Sequence, residues 1–100
     1  MDVKIERKNG VATVFLTGRL DTPASQEIAP QINSLSDDAA GVIILDCTEL
    51  SYISSSGLRI FLTLRKNAAE KGGKLIVRNI SNNIRSVFMM TGFLNLFEIQ

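Results

Sequence analysis

The residues most able to do chemistry in this chain are three consecutive serines, Ser54, Ser55 and Ser56, followed by Gly57. They come after an apolar run that ends at Asp46, where a strand is expected to turn into a helix. A serine hydroxyl in such a place can cap the helix, attack a substrate as a nucleophile, or receive phosphate from a kinase. A cap needs only one serine, so the other two call for a further explanation.

The composition argues against the nucleophile. The chain has no His and one Cys, Cys47, which excludes Ser-His-Asp and Cys-His catalytic groups as well as Cys/His zinc sites. The G-x-S-x-G pattern of serine hydrolases is also absent. The spacing of Asp46 and Glu49 resembles a pair of catalytic carboxylates. No second catalytic group accompanies them, so a role in a turn is favoured. We therefore expect no enzyme, no metal and no cofactor.

Length and charge narrow the function classes further. The chain has 100 residues and a mass of 11.0 kDa, which predicts a single domain over residues 1–100. Its net charge of +1 is too small for a general binder of nucleic-acid backbones. No stretch approaches the ~20 apolar residues of a membrane helix, and the N-terminus lacks the apolar run of a signal peptide. With its single cysteine, the protein is expected in the cytoplasm.

The charges are unevenly distributed along the chain. Residues 1–50 carry four basic and eight acidic groups, whereas residues 51–100 carry seven basic and two acidic groups. Different faces of the folded protein could therefore look different to a charged partner.

The first half of the chain predicts a hairpin followed by a helix. Two runs rich in β-formers flank Asn9-Gly10, the strongest short signal for an antiparallel hairpin. Asp21 or Thr22 can cap a helix whose apolar stripe reaches residue 35 and which ends at residues 36–38. Pro30 lies inside that stripe and predicts a kink or a break.

The second half alternates strands with helices. Residues 41–46 are typical of a buried strand, and a loop then leads into a helix over residues 57–71. Residues 74–78 predict another buried strand, Ser81 caps a short helix, and residues 96–99 predict a last strand. The order β-β-α-β-α-β-α-β predicts an α/β fold, with a small mixed sheet and helices mainly on one face.

Several segments together resemble the STAS domain of bacterial anti-sigma factor antagonists. They are residues 18–21 (GRLD), 42–46 (VIILD), 50–58 (LSYISSSGL), 72–75 (GGKL) and 87–94 (VFMMTGFL). The resemblance covers nearly the whole chain, and the register of serines, glycine and leucine in residues 50–58 is its most specific part.

The resemblance implies a protein switch that acts in transcription regulation by partner switching. In the family, the regulatory serine lies two positions before the glycine, which is Ser55 here, with Ser54 and Ser56 as less favoured sites. An anti-sigma factor with serine kinase activity phosphorylates it, and a PP2C-type phosphatase restores it. The unphosphorylated antagonist binds the anti-sigma factor and releases the sigma factor. The family commonly has Asp immediately before that serine, where this chain has Ser54.

The same resemblance implies a partner-binding surface around Ser55. Its expected members are Asp21, Thr22, Ser54, Ser56, Gly57, Leu58 and Arg59. Asp21 matches the family's loop Asp beside the switch serine, although a helix cap would also account for it. For Leu58, a place in the core is the favoured interpretation. Gly57 removes side-chain bulk and would suit the close approach of another protein.

The main alternative function is a stand-alone STAS subunit of a lipid-transport ABC system, which would bind the ATPase and need no phosphorylation. Met89, Met90 and Phe93 form an apolar group for which core packing is favoured over an exposed patch. Cys47 is expected to be a small buried filler.

Overall fold

A five-stranded sheet organises the chain in the computed structural model, which describes all residues from Met1 to Gln100. The strands are β1 (Asp2–Lys8), β2 (Val11–Leu20), β3 (Val42–Ile53), β4 (Lys74–Arg78) and β5 (Glu98–Ile99). The α-helices are α1 (Thr22–Asn33), α2 (Ser55–Lys71) and α3 (Asn82–Met90). Two 3₁₀ helices, Ser34–Ala40 and Phe93–Asn95, follow α1 and α3. The predicted α/β class and order of elements are confirmed.

The strands lie in the order in which they occur along the chain. β1 and β2 pair antiparallel, and β2, β3, β4 and β5 pair parallel to one another. This antiparallel pair is the predicted hairpin. Asn9 and Gly10 have φ values of 52° and 78°, so they supply the two positive-φ positions of its tight turn. Each parallel pair is then connected through one α-helix.

One face of this sheet is covered by the helices. Alternate residues of β2 and β3, such as Val14 and Leu45, are fully buried, whereas their neighbours Thr13 and Ile44 on the other face are half-buried. Helix α2 contributes Phe61 and other side chains to the same apolar core. The period of two along the strands therefore places the core between the sheet and the helices.

β3 is longer than its apolar run predicts. It continues past Asp46 to Ile53, so the predicted loop before the serines is wrong. Its pairing with β2 is irregular here: Phe15 pairs with Asp46, but Thr17 pairs with Glu49, which leaves an extra residue on β3. The sequence interpretation relied on the unbroken apolar run of residues 41–46, which stops at Asp46 and gives no sign of the polar part of the strand that follows. The strand ends at Ile53, directly before Ser54, which is the N-cap residue of α2.

Helix α1 passes through Pro30 without interruption, so the predicted break is wrong. A proline within a helix removes one backbone hydrogen bond, but Ile28 and Ile32 on either side are buried in the core. Their packing holds this segment in a helix despite the lost bond. The α-helix ends at Asn33, and a 3₁₀ helix over Ser34–Ala40 replaces the predicted end at residues 36–38.

The C-terminal region differs from expectation in two respects. The last strand covers only Glu98–Ile99, because a 3₁₀ helix at Phe93–Asn95 precedes it. Met89 and Met90 are 62% and 86% exposed, so the favoured core packing of these methionines is wrong. The core is closed here by aromatic rings instead, with the Phe88 and Phe97 ring centroids 5.6 Å apart.

No helix of the structure is long and apolar enough to cross a bilayer.

An ion pair joins Asp46, in the middle of β3, to Arg78 at the carboxyl end of β4. The Asp46 carboxylate is 9% exposed and accepts a hydrogen bond from Arg78 Nη2 at 2.9 Å. It also accepts bonds from the Thr48 hydroxyl at 2.6 Å and from the Thr48 amide at 3.0 Å. Burial acts to raise the pKa of Asp46, but these hydrogen bonds and the positive charge of Arg78 together lower it below its ordinary value of 3.8. Asp46 thus joins two strands and does not form a turn.

We predict that Arg78→Ala lowers the free energy of unfolding by about 1–2 kcal/mol at neutral pH, because it leaves the Asp46 carboxylate short of a partner. A carboxyl whose pKa is lowered in the folded state stabilises the fold above its ordinary pKa and loses this effect at lower pH. The difference between wild type and variant should therefore shrink as the pH falls below 3.8.

Urea unfolding at several pH values measures this difference. Lys74→Ala is the matched control, since its ion pair with Glu98 is solvent-exposed (54% and 42%) and should contribute about 0–1 kcal/mol. Equal losses in the two variants at neutral pH would contradict the structural role given to the buried pair.

Candidate functional site

The carboxyl ends of β2 and β3 bring two helix N-termini together. Leu20 and Ile53, the last residues of the two strands, pair with each other. Asp21 and Ser54 follow them, and each caps a helix: the Asp21 carboxylate accepts from the Ala24 amide at 3.0 Å. Because both strands are parallel and end at the same level, α1 and α2 begin side by side. The expected role of Asp21 as a helix cap is confirmed.

Ser54 is fully engaged in building this junction. Its hydroxyl accepts a hydrogen bond from the Gly57 amide at 3.2 Å and donates one to the Leu20 carbonyl at 3.0 Å. Its own amide donates to the same Leu20 carbonyl at 2.9 Å. Ser54 is therefore both the cap of α2 and the tie between α2 and β2.

Ser56 is engaged as well, but with the neighbouring helix. Its hydroxyl oxygen lies 3.3 Å from that of Thr22, so one of the two hydroxyls donates to the other. Thr22 is the first residue of α1 and Ser56 the second residue of α2. This contact joins the first turns of the two helices.

Ser55 differs from both neighbours. It is the first residue of α2, its side chain is exposed, and its hydroxyl makes no hydrogen bond within the chain. Arg59 lies four residues later, one turn along the same helix face, and is also exposed. Arg59 has no acidic partner within the chain. The surface therefore presents one free hydroxyl at the positive end of a helix, with a guanidinium one turn away.

The remaining two expected partner residues lie beneath this surface. Leu58 is 4% exposed and belongs to the core, which is the placement that the sequence interpretation favoured. Gly57 is buried too, and a Cβ added to it would come within 2.8 Å of Leu20 Cγ and 2.9 Å of Ile53 Cγ1. The absence of a side chain thus serves packing inside this chain, rather than the approach of another protein. Neither residue belongs to the exposed surface.

Other chemically capable groups lie away from the serines. Burial in the core and the neighbouring charge of Asp46 raise the pKa of the Cys47 thiol to about 12, which makes it a buried, unreactive filler. A cavity of about 280 Å³ lies on the sheet at the irregular β2–β3 pairing and is lined by Phe15, Thr17 and Glu49 among others. Nowhere do three or more His, Cys, Asp or Glu side chains gather as metal ligands.

Comparison with known proteins agrees with this geometry. A family model, the STAS domain, matches residues 2–100. The chain belongs to the STAS domain family. It is 26% identical over 100 residues to the anti-sigma F factor antagonist of Paenibacillus polymyxa, covering 99% of this chain and 86% of the relative.

Two solved structures of the Bacillus protein SpoIIAA have the same fold. The anti-sigma factor antagonist SpoIIAA in its unphosphorylated form is 24% identical, with a TM-score of 0.76 over 99% of this STAS chain and 87% of the other. Its phosphorylated form is 25% identical, with a TM-score of 0.75 over 99% and 91% of the two chains. The mixed sheet with three helices is thus the STAS fold.

The sequence missed the two contacts that distinguish the serines from one another. The bond between Ser54 and Leu20 and the contact between Ser56 and Thr22 each join residues 34 positions apart. The only local signal was that Thr22 and Ser56 each occur near the start of a predicted helix. Without the strand register, that similarity could not place their hydroxyls together.

We predict that Ser54→Ala lowers the free energy of unfolding by about 1 kcal/mol, because it removes the cap of α2. Ser55→Ala is the matched control one residue away: its hydroxyl makes no bond, so its unfolding energy should stay close to that of wild type. Thermal or urea unfolding of the two variants measures the contrast. A larger loss in Ser55→Ala than in Ser54→Ala would contradict the assignment of the cap.

Proposed function

We propose that this STAS protein is an anti-sigma factor antagonist whose binding is switched at Ser55. In the unphosphorylated form it binds an anti-sigma factor through the surface around Ser55 and so releases the sigma factor. Phosphorylation of Ser55 by the serine kinase activity of that partner ends the binding, and a PP2C-type phosphatase restores it. The observation that carries this proposal is the free, exposed hydroxyl of Ser55 at the start of α2.

The choice of Ser55 over its neighbours rests on hydrogen bonding. A kinase needs a hydroxyl that can leave its present contacts and enter the kinase active site. The Ser54 hydroxyl holds α2 to Leu20, and the Ser56 hydroxyl contacts Thr22. Modifying Ser54 would require breaking the cap, whereas the Ser55 side chain can be reached without disturbing either contact.

A phosphate at Ser55 is compatible with the fold. It would carry about −1.5 to −2 charges at the helix end where unpaired amides and the helix dipole favour negative charge by about 0.3–1 kcal/mol. Arg59 lies one turn away and has no acidic partner, so it can pair with the phosphate. The modified chain should therefore stay folded.

The same phosphate is incompatible with a packed interface. Thr22, Ser55 and Arg59 are exposed and lie beside the half-buried Asp21, so this surface carries one guanidinium and one partly buried carboxylate. Adding a phosphate brings bulk, a cost of removing its water, and repulsion of any acidic group that the partner places opposite Arg59. Binding is thus lost at the surface while the core is unchanged.

The chain's part in this reaction is that of a substrate and binding protein. Ser55 has no His to act as its base, and the neighbouring hydroxyls do not contact it. Kinase and phosphatase chemistry therefore belong to the partners. We further propose that residues 1–100 act as one STAS domain in the cytoplasm, with no direct contact to nucleic acid.

Mass spectrometry after incubation with a candidate anti-sigma factor kinase and ATP tests the proposal. Wild type should gain one phosphate, located at Ser55 by fragmentation, and Ser55→Ala should gain none. Ser56→Ala is the matched control, because it removes an adjacent hydroxyl but leaves Ser55, and it should still be phosphorylated.

Two results would contradict the proposal. Phosphate that persists in Ser55→Ala would place the switch at another residue. No phosphate on any of the three serines, together with co-purification of an ABC ATPase, would instead support the lipid-transport alternative.

A further inference from the structure

A second exposed surface lies at the far end of α3, away from Ser55. Four large apolar side chains of the chain are markedly exposed: Tyr52, Met89, Met90 and Leu96. Tyr52 is accounted for within the chain, because the Arg19 guanidinium lies 4.3 Å from the centre of its ring. The other three lie within the eight residues 89–96, at the end of α3 and just after the 3₁₀ helix that follows it. We refer to Met89, Met90 and Leu96 as the methionine patch.

The methionine patch is not needed to close the core. Phe88 and Phe97 are buried directly beside it, and their rings pack against Phe61 at centroid distances of 6.0 and 6.3 Å. Met89 and Met90 stand outside this aromatic group at 62% and 86% exposure. Their unbranched, polarisable side chains adapt readily to the shape of an apolar partner.

Two arginines without acidic partners flank the patch. The Arg65 Nε donates to the Leu96 carbonyl at 2.6 Å, which fixes the guanidinium beside the patch and leaves its two Nη nitrogens without hydrogen bonds. Arg85 lies four residues before Met89, one turn earlier on α3, and forms no ion pair. An open guanidinium fork matches the geometry of a carboxylate.

None of the chain's four ion pairs involves these two arginines. Residues 51–100 hold only two acids, Glu70 and Glu98. Glu98 is paired with Lys74 at 3.0 Å, and Glu70 forms no ion pair with either arginine. Both guanidinium groups are therefore open to a carboxylate of another molecule.

We propose that the methionine patch, with Arg65 and Arg85, is a second docking surface for an acidic, amphipathic segment of a partner protein. Apolar side chains of that segment pack on Met89, Met90 and Leu96, and its carboxylates pair with the two arginines. Arg65 lies ten residues after Ser55 on α2, about 15 Å along the helix. Binding at this surface is therefore independent of the state of Ser55, and the inference does not rest on the proposed switch.

Methyl NMR on protein labelled at the methionine methyl groups tests this directly. The chain has three methionines, so Met1 serves as an internal control. The probe is a synthetic amphipathic helical peptide of leucine and glutamate, and its control has lysine in place of every glutamate. The Met89 and Met90 signals should shift with the glutamate peptide, the Met1 signal should not, and the lysine peptide should give no shift.

Variants identify the contributing side chains. The double variant Met89→Ser with Met90→Ser should weaken peptide binding by about tenfold or more, and Arg65→Gln with Arg85→Gln should weaken it and flatten its dependence on salt. Thr63→Ala, an exposed position on α2, should bind like wild type, as should Ser55→Glu. All these positions are exposed, so the substitutions should leave the unfolding curves unchanged. Unchanged curves would show that weaker peptide binding does not come from misfolding.

Three outcomes would overturn the proposal: shifts that spare Met89 and Met90, undiminished binding by the double serine variant, or equal binding of the lysine peptide. Loss of peptide binding in Ser55→Glu would refute the independence of the two surfaces. None of these outcomes bears on whether Ser55 is phosphorylated, so the two proposals stand or fall separately.

Discussion

The carbonyl oxygen of Leu20 holds the site of this STAS protein together. It accepts two hydrogen bonds from Ser54, one from the amide at 2.9 Å and one from the hydroxyl at 3.0 Å. These bonds tie the start of α2 to the end of β2, where Leu20 pairs with Ile53 on the neighbouring parallel strand. Two helices must then begin side by side, and a glycine must follow, since a Cβ at Gly57 would meet both Leu20 and Ile53.

The three serines differ in their hydrogen bonds because of this arrangement. Ser54 and Ser56 use their hydroxyls to join α2 to β2 and to Thr22 of α1, so they are part of the framework. Ser55 lies between them, its hydroxyl makes no hydrogen bond within the chain, and its side chain is exposed to solvent. A charge added there meets a favourable helix end and Arg59, rather than a buried contact. We therefore expect a charge added at Ser55 to leave the fold unchanged, as the proposed switch requires.

Features with a local cause could be predicted from the sequence. The turn at Asn9-Gly10 follows from two residues that tolerate positive φ, and the cap of α1 follows from the Asp21 side chain. Features that depend on distant contacts could not. The helix through Pro30 is held by buried neighbours, and the Thr22–Ser56 contact joins residues that only the strand register brings together. Met89 and Met90, in contrast, lie off the helical stripe of Ile84, Val87 and Phe88, so their exposure follows from a local spacing that the core placement overlooked.

The most direct test of the proposed switch compares the chain carrying phosphoserine at position 55 with the unmodified chain, in both unfolding and binding to the anti-sigma factor. We expect a free energy of unfolding within about 1 kcal/mol of the unmodified value, together with an affinity weakened by about tenfold or more. A phosphorylated chain that unfolds, or one that binds the anti-sigma factor as tightly as before, would contradict the switch.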